Sequence, residues 1–190
     1  MKNKWTSTKL IAIGSIAVIR LLVDIIVYYS ALTATSSVFG SLTIFILGPI
    51  FQVFVALVIQ RFGSVTLFLT LNFLMELPTP TVFPKLILLF STLLQGLMID
   101  ITWLIFKKNN KLFGLVSGFL INAFWVLLAI LLYFSIGLYG TEHIPKIMVT
   151  PLWLFILGLF LSLIGSACGY AALSVYNKIK NTSVIKRIQR

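Results

Sequence analysis

Two opposite charges four residues apart, Arg20 and Asp24, sit inside a hydrophobic run near the start of this chain. An ionisable side chain at mid-depth in a membrane helix costs about 2.5 to 3.5 kcal/mol on insertion scales unless it finds a partner. A spacing of four puts both on one helix face, so the pair is expected to answer itself, with a part in transport or substrate contact as the alternative. Asp100 lies in "LLQGLMIDITWLIFKK" on a stripe with Gly96, Trp103 and Lys107. At helical rise it is about 9 Å from the end of its run. From there it is placed to answer Arg20 across a bundle, to reach Lys107 along its own helix, or to pack as a buried polar group. Gln95 beside that stripe, and Asn122 and Trp125 on a later run, fall near mid-depth and are candidates for ligand contact. A few polar groups set among aromatic walls are how small-molecule pockets are built.

The two remaining acids, Glu76 and Glu142, fall where hydrophobic runs end. Glu76 precedes "LPTPTVFPK", a segment with three prolines. Irregular backbone at membrane depth must be covered by protein or line a watery cavity, and proline-interrupted segments point to transporter binding sites. The alternatives are a plain helix stop before an outer loop and an ion pair between Glu76 and Lys85. Tyr28, Tyr139 and Trp153, with Trp125, are expected to face the same outer vestibule. A cation over an aromatic face gains about 0.5 to 2 kcal/mol, so this set suits a flat, cationic or amine-bearing molecule.

Catalysis is not expected. The chain has four acids, one histidine (His143) and one cysteine (Cys168), too few and too scattered for a metal centre or an internal disulfide. No phosphate-binding loop, nucleophile elbow or paired-carboxylate arrangement occurs. We therefore expect no catalytic residue, no metal, no cofactor and no enzymatic activity.

The elements that position these residues follow from composition. Of 190 residues, 59% are hydrophobic and 10% charged, with a mean hydropathy of +1.08; a soluble domain of this length needs far more polar surface. A net charge of +11 in a soluble protein suggests nucleic acid, but here the basic residues sit between apolar runs and at the two ends, as topology signals, and no nucleic-acid partner is expected. A spanning helix needs about 20 apolar residues. The runs predict helices over 9–32, 38–59, 63–77, 84–106, 112–138 and 147–176, the third shorter than the others. The opening "MKNKWTSTKLIAIGSIAVIRLL" is read as a retained first helix, not a cleaved signal. Twelve of the fifteen basic residues fall on one side, Lys85 and Lys146 on the other, and Arg20 within a helix. The positive-inside rule then places both termini in the cytoplasm. The expectation is an all-α integral membrane protein of the cell membrane, multi-pass, in contact with membrane lipid: a single-domain bundle of six transmembrane helices over 1–190.

Small residues mark two further faces. Gly165 and Gly169 form a G-x-x-x-G within "SLIGSACGYAALS", and Ala12, Gly14, Ser15 and Ala17 lie in "AIGSIA". Such spacing lets another helix approach closely, either inside the bundle or from a partner. Ala12, Ser15, Gly165 and Gly169 are the partner-contact candidates.

The layout and two segments resemble a known family. "LGPIFQVFVALVIQRFGSVTLFLTLNFLMEL" and "LLQGLMIDITWLIFKK", with their GPI near the start of the second helix, a basic-and-glycine turn after it, and QG followed by an acid on the fourth, resemble the substrate-binding S-components of energy-coupling factor transporters. They are most similar to the hydroxymethylpyrimidine- and thiamine-linked subgroup, over residues 47 to 108. The resemblance implies a vitamin or vitamin-precursor ligand between outer helix ends and loops. It also implies partners that supply energy: a transmembrane coupling subunit and ATPase subunits. Members commonly meet the coupling subunit through alanine-x-x-x-alanine on the first helix, where this chain has "AIGSIA" without that pair. The competing expectation, from a different class, is a non-catalytic accessory subunit of a larger membrane complex such as a respiratory assembly.

Overall fold

A computed structural model describes residues 5–33, 37–78, 85–136 and 151–189 of the chain. These form seven α-helices: α1 (Ser7–Thr33), α2 (Ser37–Ile59), α3 (Ser64–Glu76), α4 (Lys85–Phe106), α5 (Asn110–Ile136), α6 (Pro151–Ile179) and α7 (Ser183–Gln189). The first six follow the apolar runs. Of the three expected outer loops, most residues lie outside those described, as do Tyr139 and Glu142.

Local chemistry sets the helix starts. Thr6 Oγ1 accepts from the Lys9 N–H at 3.4 Å, Asn109 Oδ1 from Leu112 N–H at 3.1 Å, and Thr182 Oγ1 from Ile185 N–H at 3.5 Å. Each cap satisfies a first-turn donor that has no intrahelical acceptor. The helix α3 has no cap of its own, because Gly63 occupies that position with φ 86°. Glycine takes this left-handed conformation without strain, which lets the chain turn sharply from α2 into α3.

α2 is the central helix, packed against α1, α3, α5 and α6, while α5 and α6 form the most extensive pair. The core includes Val53, Leu57 and Ile59 of α2, Phe68 of α3, Ile99 of α4, and Phe113 and Ile121 of α5. Among the described residues, four helices hold stretches long and apolar enough to cross a membrane: Ser7–Val27, Lys85–Phe106, Asn110–Leu131 and Leu152–Ile179. Their outward faces carry large apolar side chains, with Ile11 69%, Ile105 68% and Phe155 67% exposed, a surface suited to lipid and not to water. The thirteen residues of α3 reach about 20 Å, less than a hydrocarbon core of about 30 Å.

The helix α7 was not anticipated. It turns back beneath the bundle and packs on α1 and α2, burying Ile185 and Ile188. Gln189 Nε2 donates to the carbonyls of Leu57 and Val58, at 3.3 Å each, and to Tyr176 Oη at 3.1 Å.

The small residues of α6 are taken up inside the chain, not left for a partner. A Cβ on Gly165 would lie 2.2 Å from the Gly118 carbonyl oxygen, and one on Gly169 would lie 2.1 Å from that of Gly114. The G-x-x-x-G pattern is thus half of a reciprocal glycine contact with α5. On α1 the situation differs: a Cβ on Gly14 meets nothing within 4 Å, Ser15 is exposed and Ala12 is half-buried.

Candidate functional site

Asp100 packs as a buried polar group, as one of its expected readings has it, and makes neither of the two pairings. Its carboxylate accepts from the N–H groups of Val65 and Thr66, at 3.2 and 3.0 Å, and from the Thr66 hydroxyl at 2.7 Å. Asp100 is fully buried, so the charge that α3 lacks at its own N-terminus is supplied by α4, where it meets unpaired donors and the positive end of the helix dipole. Gly96, one turn earlier, makes this contact possible. A Cβ there would lie 2.5 Å from the Thr66 Cα, so only glycine lets α3 come close enough. The stripe legible in α4 is a docking face for α3.

The Asn122 amide nitrogen is likewise committed to structure, while its Oδ1 is buried without a hydrogen-bond partner. Pro49 within α2 has no N–H to give the carbonyl four residues earlier, that of Phe45. Asn122 Nδ2 donates to this freed oxygen at 3.0 Å and to the Leu161 carbonyl at 2.7 Å. One side chain of α5 therefore ties α2 to α6. Trp125 is half-buried against the core and meets Phe124 edge-to-face with ring centroids 6.3 Å apart. Trp153 is 50% exposed on the outer surface of α6 and does not line an interior wall formed by the described residues. The Tyr28 side chain lies outside the described residues.

Two further groups of polar side chains lie on α1 to α4. In the first, Arg20 Nε donates to Asp24 Oδ2 at 2.5 Å, with the guanidinium 5.5 Å from the centroid of the Phe51 ring. Glu76 at the end of α3 lies within electrostatic range of both Asp24 and Arg20. The Arg20–Asp24 pair thus lies where α1 packs on α3, with Glu76 in electrostatic range and an aromatic ring of α2 against the guanidinium. Beside them Phe73, Glu76, Leu77, Lys85 and Leu88 line a hollow of about 20 Å³, room for a water molecule and not for a larger guest. Lys85 Nζ donates to the Leu77 carbonyl at 2.5 Å across this hollow.

The second group is a layer of carboxamides: Gln52 on α2, Asn72 on α3 and Gln95 on α4, 3%, 8% and 1% exposed. Each keeps one polar atom without a hydrogen-bond partner, namely Gln52 Oε1, Asn72 Oδ1 and Gln95 Nε2. These helices pack on one another. At helical rise the three residues lie about 10 to 17 Å from the end of the bundle that carries the α2–α3 and α4–α5 turns. Glu76 lies about 18 Å from that end, one helical turn above Asn72 on the same face of α3. The layer offers two acceptors and one donor, set below a mixed-charge cluster. Unmet groups of these two kinds match those that a small molecule carrying both N–H and carbonyl or ring-nitrogen groups presents.

Gln95 was legible as a candidate; Gln52 and Asn72 were missed. Their signal was present, since each is a lone carboxamide inside an apolar run, "PIFQVFVALVI" and "FLTLNFLM". Among the described residues, no group of three or more His, Cys, Asp or Glu is placed to hold a metal ion. Comparison with known protein families, curated proteins and solved structures gave no match.

Proposed function

We propose that this chain is the substrate-binding membrane subunit of an uptake transporter, taking a vitamin or vitamin-precursor such as thiamine or its pyrimidine precursor. The observation that carries the reading is the carboxamide layer. An unmet polar atom inside hydrocarbon costs several kcal/mol, and Gln52, Asn72 and Gln95 leave three of them on three adjoining helices. A bundle that only filled space would place leucine at these positions. A bundle that receives a polar guest needs donors and acceptors held in readiness.

In this reading α2 and α3 complete a set of six spans with both termini in the cytoplasm. The ligand enters from the outer side, over Arg20, Asp24 and Glu76. Energy comes from ATPase subunits acting through a transmembrane coupling subunit, for which the open face of α1 at Ala12, Gly14 and Ser15 is the docking candidate. A second reading, an accessory subunit of a larger membrane complex, is favoured by one observation: the Asp100 carboxylate and the Asn122 amide nitrogen are taken up in ties between helices. The two readings separate on purification from native membranes in mild detergent. ATPase subunits and a vitamin-sized molecule travelling with the chain support the transporter; redox subunits carrying haem support the accessory role and overturn the proposal. Within the first outcome, Ser15→Trp should abolish co-purification of the coupling subunit while ligand stays bound.

A further inference from the structure

The end of the bundle that carries α7 bears a band of exposed cations with no acid among them. Lys107, Lys108 and Lys111 surround the α4–α5 turn, Lys178 and Lys180 close α6, and Lys186 and Arg187 lie on α7, all exposed. The chain's four acids are Asp24, Glu76, Asp100 and Glu142. The one nearest to Lys107, Asp100, is fully buried with its carboxylate turned to the start of α3. Among the described residues, no acidic side chain on this surface neutralises the band from within.

Its depth is set by the helices. Lys107 directly follows α4, Lys111 is the second residue of α5 and Lys178 lies in the last turn of α6. The Gly114–Gly169 contact fixes α5 against α6; both basic ends lie on the same side of it, Lys111 three and Lys178 nine residues away, so Lys178 reaches about 9 Å farther out. α7 folds back toward the bundle from there. Ile185 and Ile188 are buried beneath the bundle, and the Gln189 amide is tied to the Leu57 and Val58 carbonyls. Lys186 and Arg187 are thereby held at the rim of the spans, where lipid headgroups lie.

We propose that this rim binds the phosphate groups of anionic phospholipids, with α7 as a folded-back basic edge beside the ends of α2 and α6 and the lysines of the α4–α5 turn as a second basic cluster at the same end. Cations immediately beside membrane spans attract anionic headgroups, each by roughly fivefold in affinity. A firmly seated α7 presents two of them without ordering a flexible tail on binding. This proposal is independent of the transported ligand.

The test uses the full chain, purified and examined by native mass spectrometry after exchange into phosphatidylcholine alone or mixed with phosphatidylglycerol. Wild type should retain phosphatidylglycerol selectively and unfold at higher temperature with it, and both effects should shrink as salt is raised. The variant K178Q/K180Q/K186Q/R187Q changes only exposed side chains and should lose at least tenfold in phosphatidylglycerol affinity. The independent variant K107Q/K108Q/K111Q should weaken it similarly, and K85Q should not. Equal retention of the two lipids by wild type, or undiminished selectivity in both multiple variants, would overturn the proposal. So would full competition by soluble glycerol phosphate, which would mark a free-phosphate site. Charge-dependent capture of an acidic protein without any lipid selectivity would instead identify a protein-docking rim.

Discussion

Replacing Asp100 by asparagine keeps the shape of the side chain and removes its charge. In the native fold the carboxylate takes three hydrogen bonds from the first turn of α3. The amide that replaces it has one acceptor oxygen, and its NH2 group would face backbone donors. A hydrogen bond to a charged group contributes about 1.5 to 3 kcal/mol, and a charge at a partly buried helix N-terminus up to about 2 kcal/mol. Against these stands the modest value of polar contacts between membrane helices, averaging about 0.6 kcal/mol. Losing one strong and one weaker bond predicts a destabilisation of about 2 to 4 kcal/mol. Denaturant unfolding of the purified protein in micelles measures it, and amide hydrogen exchange localises it, with protection lost first at Val65 and Thr66. Thr66→Val should cost about 1 kcal/mol alone and less in the Asp100→Asn background, since the hydroxyl then meets a neutral amide in place of a carboxylate. A cost below about 0.5 kcal/mol for Asp100→Asn, with unchanged exchange at 65 and 66, would refute the capping role.

The glycine contact predicts that Gly118→Ala and Gly165→Ala each prevent native assembly or cost more than about 3 kcal/mol, because the added methyl would lie about 2 Å from an opposing carbonyl oxygen. Gly14→Ala, whose methyl meets nothing, should be neutral or stabilising in the same unfolding measurement. The proposed orientation predicts that a cysteine at position 142 is labelled by an impermeant reagent from outside, in a Cys168→Ser background, and one at 109 only after permeabilisation. The reverse labelling would turn the bundle over and move the ligand entrance to the other face.

The six long elements were legible because lipid solvent writes them as unbroken apolar runs, and their ends differ from the expected ones by a few residues at most where both ends are described. α7 was not legible, since seven residues are too few to show a period, although Ile185 and Ile188 carry the three-residue spacing of a buried edge. The Arg20–Asp24 pair could be read because its partners are four residues apart. Asp100 could not, because its partners lie 34 and 35 residues away in sequence and the close approach depends on Gly96. Asn122 shows the same limit: Pro49 announces a freed carbonyl at Phe45, but nothing local says that α5 supplies the donor. The candidate site divides likewise. Gln95 stood out beside the Gly96–Asp100 stripe near mid-depth, whereas Gln52 passed as ordinary core, and so did Asn72 although Glu76 lies one helical turn from it.

Titration calorimetry on the purified full chain, with thiamine and with its pyrimidine precursor, tests the central claim most directly. The account predicts that wild type binds one of them in the micromolar range or tighter. Gln95→Leu and Asn72→Leu should each weaken binding by at least tenfold while leaving thermal stability equal or improved, because a costly unmet polar atom has gone. Glu76→Gln should weaken a cationic ligand more than a neutral one. Binding of neither compound by a folded wild type would contradict the substrate assignment. Binding that survives both leucine substitutions would contradict the carboxamide layer as its site.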